Sequence, residues 1–209
     1  MVRRTKEDAL ATRESLLDAA EVLFQAQGVS RTSLNDIARQ AGTTRGAIYW
    51  HFKDKADLFN AMMDRAKLPL EEAFDARDKN PSGAALDNIR YGMTTCLARI
   101  ASDDRMRRVF EVATHKVEYI DELQAVRARH LTVRNGFLGK MEADLARAAT
   151  EQGVEMRVPP DVAAHGLHAV VDGMIQNWLL QPEAFNLPET IAPVIDVYLA
   201  GLGFRVTSA

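Results

Sequence analysis

The stretch Ala38-Arg39-Gln40-Ala41-Gly42-Thr43-Thr44-Arg45-Gly46-Ala47-Ile48-Tyr49-Trp50-His51-Phe52-Lys53-Asp54-Lys55 constrains the fold more than any other part of this chain. Just ahead of it, Ser33 can cap a helix whose apolar residues Leu34, Ile37, Ala38 and Ala41 share one face. Gly42 stands where that helix must stop, because a left-handed residue just past a helix end is cheap only for glycine. Thr44 then caps a second helix of about two turns, and Arg45, Tyr49 and His51 point outward from it. Two short helices joined by a glycine turn make a helix-turn-helix, whose second helix enters the major groove of DNA.

The remainder of the chain is also helical in its periodicity, with no convincing alternation of period two. Leu16, Leu17, Ala20, Leu23 and Phe24 define a helix from about residue 8 that ends at Gly28. Asp54 caps a long helix bearing Leu58, Phe59, Met62 and Met63, expected to run towards Arg77 with a kink or weakening near Lys67 caused by Pro69. Ser82 is placed to cap a helix reaching Ile100, and a short helix carries Val109, Phe110 and Val112. A long helix from about residue 119 ends at Gly153, and another opens at Pro159-Pro160-Asp161 and closes at Gln181-Pro182. A last helix spans Pro188 to Gly203. The expected fold is all-α: an N-terminal three-helix helix-turn-helix DNA-binding domain over 1–55, and a C-terminal helical ligand-binding and dimerisation domain over 56–209. The linking helix, about residues 55–77, is shared.

Gly28, Thr32, Ile37, Ala38, Ala41-Gly42, Gly46, Ile48-Tyr49 and Phe52-x-x-Lys55 together resemble the TetR family of one-component bacterial regulators. Val2 to Lys6, Arg31 to Leu34 and Thr44 to Lys53 look like the branch of multidrug-efflux repressors typified by AcrR and TtgR. The likeness covers roughly the first third; beyond it lie only scattered features such as Arg107-Arg108, His115-Lys116-x-Glu118 and Val171-Asp172-Gly173. It implies a dimeric repressor released from a palindromic operator by an amphipathic or aromatic inducer. It also implies that Tyr49, His51 and Lys55 touch phosphates. Thr32, Ser33 and Thr44 can add hydroxyl contacts, and Arg45 can pair bidentately with guanine. Gly46, lacking a side chain, lets the helix approach the groove closely. Trp50 packs between helices or faces DNA, and Arg3-Arg4-Lys6 reads either as a DNA-tracking arm or as a solvated terminus.

The net charge of −3 at first argues against a nucleic-acid partner, and the distribution helps only a little, since residues 1–55 carry nine Lys and Arg against seven acids. Such a footprint suits a dimer on two half-sites, with backbone amides supplementing the cations. The middle of the chain is apolar and Met-rich. Ile89, Met93, Cys96, Phe110, Val133, Phe137, Met141 and Val171 are candidate ligand contacts, although most such residues are simply core. Thr114, His168, Asp172 and Gln176 fall on the same faces and would give an inducer polar partners. By resemblance, Val171, Asp172 and Gln176 match drug-lining positions. Gln176 stands where relatives tend to carry a basic residue, and Phe110 replaces a smaller polar one.

Ile191, Val194, Ile195, Tyr198, Leu199 and Leu202, with Met174, Trp178 and Leu179, give the last two helices apolar stripes. Resemblance favours a homodimer through those two helices. His165, His168 and Asp172 share a helical face, but neither a dense ligand cluster nor a nucleophile motif beside Cys96 argues for a metal, a cofactor or a catalytic residue. A single cysteine, a charged N-terminus and the lack of a long apolar run point to a cytoplasmic protein with no membrane partner. A regulator of a fatty-acid or small-metabolite operon is the alternative on the same fold. An architectural, ligand-independent DNA-binding protein fits less well, because most of the chain forms a separate helical body.

Overall fold

A computed structural model of the chain describes residues 6–78, 84–118 and 120–206, with side chains described except over 67–78. Among these residues every regular element is helical: α1 Lys6–Gln27, α2 Leu34–Gln40, α3 Arg45–His51, α4 Lys55–Asp78, α5 Ala85–Ser102, α6 Asp104–His115, α7 Gln124–Gln152, α8 Pro160–Leu180 and α9 Leu187–Leu202. The chain divides into two compact units, Met1–Leu68 with Arg108–His130, and Pro69–Arg107 with Leu131–Ala209.

The first unit closes around Leu16, Leu17, Ala20 and Phe24 of α1, Ile37 of α2, Ile48 of α3, and Leu58, Phe59 and Met62 of α4, all at most 2% exposed. Phe24 and Phe59 stack obliquely with ring centroids 6.0 Å apart. A charged residue also joins this core: Glu21 is buried beside Arg65 Nη1 at 3.4 Å. Arg65 also reaches Asp18 at 2.6 Å and Glu14 at 3.2 Å, so one guanidinium gathers three acids spaced along one face of α1. Arg13 lies over the Phe52 ring, 5.3 Å from its centroid.

In the second unit α9 packs against both α5 and α8. Ile89, Met93, Leu97, Leu145, Leu167, Ile191, Ile195 and Leu199 form its core. Arg90 grips Asp196 with two hydrogen bonds of 2.6 and 2.8 Å, tying α5 to α9. Glu151 of α7 accepts from the Ala85 amide at 2.8 Å and so caps α5 from a distant part of the chain. The expected Ser82 cap lies outside the described residues.

α4 runs through Pro69 to Asp78, and the boundary between the two units falls at Pro69. Two expectations need correction. The long helix expected from residue 119 begins as a 3₁₀ turn, Asp121–Leu123, before α7 starts at Gln124. Finally, Ile191, Ile195, Leu199 and Leu202 are buried within the second unit itself, so they are core rather than a face left over for a partner.

Candidate nucleic-acid interface

α2 and α3 are held by their ends. The Ser33 hydroxyl accepts from the Asp36 amide at 3.2 Å, and Asp36 accepts from the Ser33 amide at 3.2 Å, completing a reciprocal cap. The Ser33 hydroxyl also donates to the Asp36 carboxylate at 2.6 Å, and that bond, with the Ser33 amide and the Arg39 guanidinium, holds the Asp36 carboxyl below its ordinary range. Gly42 turns the chain with φ +65°, where an L side chain would be strained. Thr43 N–H closes the turn on Ala38 C=O at 2.9 Å. Thr44 caps α3 by accepting from the Ala47 amide at 3.2 Å.

Ile48 anchors the inner face of α3, and Phe52 follows it into the core. Turned outward are Thr44, Arg45, Gly46, Tyr49 and Trp50, with Tyr49 50% and Trp50 73% exposed. The Arg45 guanidinium sits 5.7 Å from the Tyr49 ring centroid. His51 is half-buried and meets the Trp50 ring edge-on at 4.6 Å. A Cβ on Gly46 would touch nothing closer than Thr44 Oγ1 at 3.9 Å, so the outer side of the helix is open there.

The other expected DNA contacts are placed differently. Ser33 is exposed, but its hydroxyl serves the cap. Thr32 is 1% exposed, donates to Gly28 C=O at 2.7 Å and accepts from Gln27 at 3.1 Å. Lys55 is 7% exposed, its Nζ 3.2 Å from Ser30 C=O and 3.3 Å from Glu122. Sequence reasoning left Trp50 undecided, and here it is the most exposed aromatic of the head. Its position two residues after the buried Ile48 was the available signal.

The expected ligand contacts do not form one cluster in a single unit. Phe110 and Thr114 belong to the first unit and the other ten to the second. Ile89, Met93, Met141 and Val171 are buried; Cys96, Val133, Phe137 and His168 are half-buried. Asp172 and Gln176, expected on an inward face, are exposed and bonded to each other at 2.5 Å. His168 meets the Phe137 ring with centroids 6.0 Å apart, and burial holds its pKa below the ordinary 6.5.

A shallow depression of the second unit, about 500 Å³ and open to solvent, is lined by other residues, among them Ala98, Ser102, Trp178, Phe185 and Pro188. A hollow of about 20 Å³ beside Phe59, Met63 and Val126 in the first unit is the size of one water. His165 Nδ1 lies 2.8 Å from Asp161 C=O. Among the described residues no three His, Cys, Asp or Glu side chains gather as a metal site, and no helix is long and apolar enough to cross a membrane.

Known proteins match this arrangement along nearly the whole chain. The family model of bacterial regulatory proteins, tetR family, matches residues 16–62, and that of the MAATS-type transcriptional repressor C-terminal region matches residues 84–204. The HTH-type transcriptional regulator TtgR of Pseudomonas putida is 34% identical over 199 residues, 95% of each chain. The crystal structure of NalD, secondary repressor of the MexAB-OprM multidrug efflux pump in Pseudomonas aeruginosa, superposes with a TM-score of 0.82 at 34% identity, covering 93% of this chain and 97% of that one. SmeT of Stenotrophomonas maltophilia, in complex with triclosan, superposes with a TM-score of 0.78 at 31% identity, covering 91% and 90%.

Proposed function

Because the chain belongs to the tetR family of bacterial regulatory proteins, we infer that it is a ligand-responsive, DNA-binding repressor of a multidrug-efflux operon. The observation that carries this reading is the outer face of α3, a capped helix that shows solvent Thr44, Arg45, Gly46 and Tyr49 while Ile48 fixes it from behind. A face of this kind suits a major groove. Arg45 reads a base with its guanidinium fork, Tyr49 and His51 donate to phosphates, and Gly46 permits close approach. Full-length likeness to NalD and SmeT supports an efflux operon as the target, and the triclosan complex of SmeT supports a small aromatic or amphipathic inducer.

The weak positive charge of the head argues for two heads on one operator. A homodimer would meet through the exposed sides of α8 and α9, where Val162, Ala169, Leu180, Val197 and Ala200 face solvent, leaving Ile191, Ile195 and Leu199 to the core of each subunit. Half-sites about 34 Å apart, one turn of DNA, would then receive the two α3 helices. An inducer lowers operator affinity only by binding the non-competent conformation more tightly, with a coupling of about 1–3 kcal/mol. Work at chromosomal operators places the protein in the cytoplasm, as a regulator rather than an enzyme.

Fluorescence anisotropy on the DNA immediately upstream of its own gene, against a random duplex, tests this reading. Specific binding released by triclosan is expected. In the same assay Arg45→Ala should lose about 1–3 kcal/mol on the specific site and little on random DNA. Equal affinity of the wild-type protein for both duplexes would sink the repressor reading. Specific binding indifferent to triclosan and to other amphipathic drugs would remove its ligand half.

A further inference from the structure

The connection between α6 and α7 reaches the reading head at both of its ends. Ahead of the helix-turn-helix, Val29 N–H donates to Lys116 C=O at 2.9 Å, and the Ser30 hydroxyl donates to Glu118 at 3.1 Å. Behind it, Lys55, the first residue of α4, sends its buried ammonium to Ser30 C=O at 3.2 Å and to Glu122 at 3.3 Å. Ser30 and Lys55 bracket α2 and α3, so the bond between them closes a ring around the whole helix-turn-helix. Glu118 and Glu122 fasten that ring to the α6–α7 connection, and Gln25 on Glu111 at 2.8 Å adds a tie between α1 and α6. A buried ammonium without acceptors is costly, and here Ser30 and Glu122 satisfy it.

We propose that the α6–α7 connection is a clasp that sets the pose of the DNA-reading head, with Glu118 and Glu122 as positioning residues acting through Ser30 and Lys55. The inference rests on the repressor reading above and gives the His115-Lys116-x-Glu118 motif its work. In this arrangement Lys55 serves DNA binding by holding the head, not by neutralising a phosphate. The rival account, that Glu122 merely sequesters a cation from DNA, leaves two bonds unexplained. Val29 and Ser30 are held by Lys116 C=O and Glu118 without any part for Lys55. α6 and α7 both run on beyond the first unit, so a displacement of either helix pulls on the ring at defined hydrogen bonds.

The two accounts differ in sign. Glu122→Ala removes a negative charge from a protein that approaches a polyanion and frees Lys55. If sequestration were the role, operator binding would tighten and its salt slope would steepen by about one phosphate contact. A clasp requires the opposite: about tenfold weaker binding to the upstream DNA, the loss expected of one charge-assisted hydrogen bond, with random duplex unchanged. Glu122→Gln, which keeps an oxygen for Lys55, should recover most of that loss, as a positioning role demands.

Hydrogen exchange on the DNA-free protein provides a readout independent of any operator. In Glu122→Ala and Glu118→Ala the Val29 amide and the amides of α3 should exchange faster than in wild type. Tighter binding with a steeper slope, or wild-type exchange in both variants, overturns the clasp. Should Glu122→Ala fail to fold, Ser30→Ala, which loses only the hydroxyl bond to Glu118, yields the same readouts. A wild-type protein that does not prefer the upstream DNA would sink the repressor reading instead, and exchange alone would still decide the clasp.

Discussion

The reading head and the helical body use the same element under opposite rules. α2 and α3 are seven residues each, too short to persist in water alone. Their ends, and the start of α4, are fixed by residues close in sequence: Ser33 with Asp36, Gly42, Thr44, and Asp54 accepting from the Asp57 amide at 2.8 Å. The body is made of longer helices, up to the 29 residues of α7, and its specific bonds join distant positions. Glu151 caps α5 across 66 residues, and Arg90 meets Asp196 across 106. A recognition surface tolerates little drift and is built from local rules. The body is built from burial and bonds spread along the chain.

The sharpest way to break this contrast is to remove the one fully buried side chain of α3. Ile48→Ala should cost about 2–5 kcal/mol, because a seven-residue helix has no second buried residue with which to compensate. Thermal unfolding would show it, and operator binding should fall with it. A loss below about 1 kcal/mol, the scale of a single cap, would mean that the caps hold α3 without its core contact.

In the body the comparable weak point is a close approach between helices. A Cβ on Gly166 of α8 would stand 2.1 Å from the Tyr198 hydroxyl, which donates to Ala163 C=O at 3.0 Å. Gly-to-Ala inside a helix ordinarily stabilises by up to about 1 kcal/mol. Gly166→Ala should instead destabilise by about 1–3 kcal/mol through overpacking, and Tyr198→Phe in the same chain should recover part of that. Gly136 and Gly139 of α7, with nothing near the added Cβ, serve as controls that should stabilise. If Gly166→Ala behaves as they do, the α8–α9 crossing is looser than it stands here.

The contrast also explains what could be read without coordinates. Ser33, Gly42, Thr44, Asp54, Gly153 and Gly203 announce their roles because a cap or a left-handed turn is decided within a few residues, and each glycine does carry positive φ. Apolar periodicity likewise identified Leu16, Leu17, Ala20 and Phe24 as the inner face of α1. Periodicity says which face is apolar but not what covers it. The buried Glu21 needs Arg65 from another helix, the Ala85 amide needs Glu151, and the exposure of Asp172 and Gln176 depends on how α8 is rotated. Burial of Lys55 follows from Ser30 and Glu122, which only the folded chain brings to it.

A finer test concerns the caps. Ser33→Ala loses the two hydrogen bonds of its hydroxyl, the one accepted from the Asp36 amide and the one donated to the Asp36 carboxylate, whereas Thr44→Ala loses a single hydrogen bond. Each should cost about 1 kcal/mol, with Ser33 the larger. Thr44 is exposed on the face that the proposed function turns to DNA, whereas the Ser33 hydroxyl also donates to Asp36 at 2.6 Å, so operator affinity should follow the reverse order. Equal effects on stability and affinity would mean that the two caps are interchangeable, and that α3 gains nothing from its own.

The smallest effect lies in the body and concerns pH. His168 is lowered from 6.5 chiefly by burial; Asp172 opposes the shift, while Arg134 and His165 reinforce it. The folded chain therefore holds a neutral imidazole at a pH where the unfolded chain already takes up a proton. Stability from this group is complete above pH 6.5 and declines as pH falls below that value towards the folded-state pKa. Urea unfolding of wild type and His168→Gln across this window should give a difference that shrinks as the solution is acidified. A difference that is flat, or that grows on acidification, would show that the ring is charged or solvated. A neutral imidazole beside Phe137 offers an inducer one donor and one acceptor without a fixed charge.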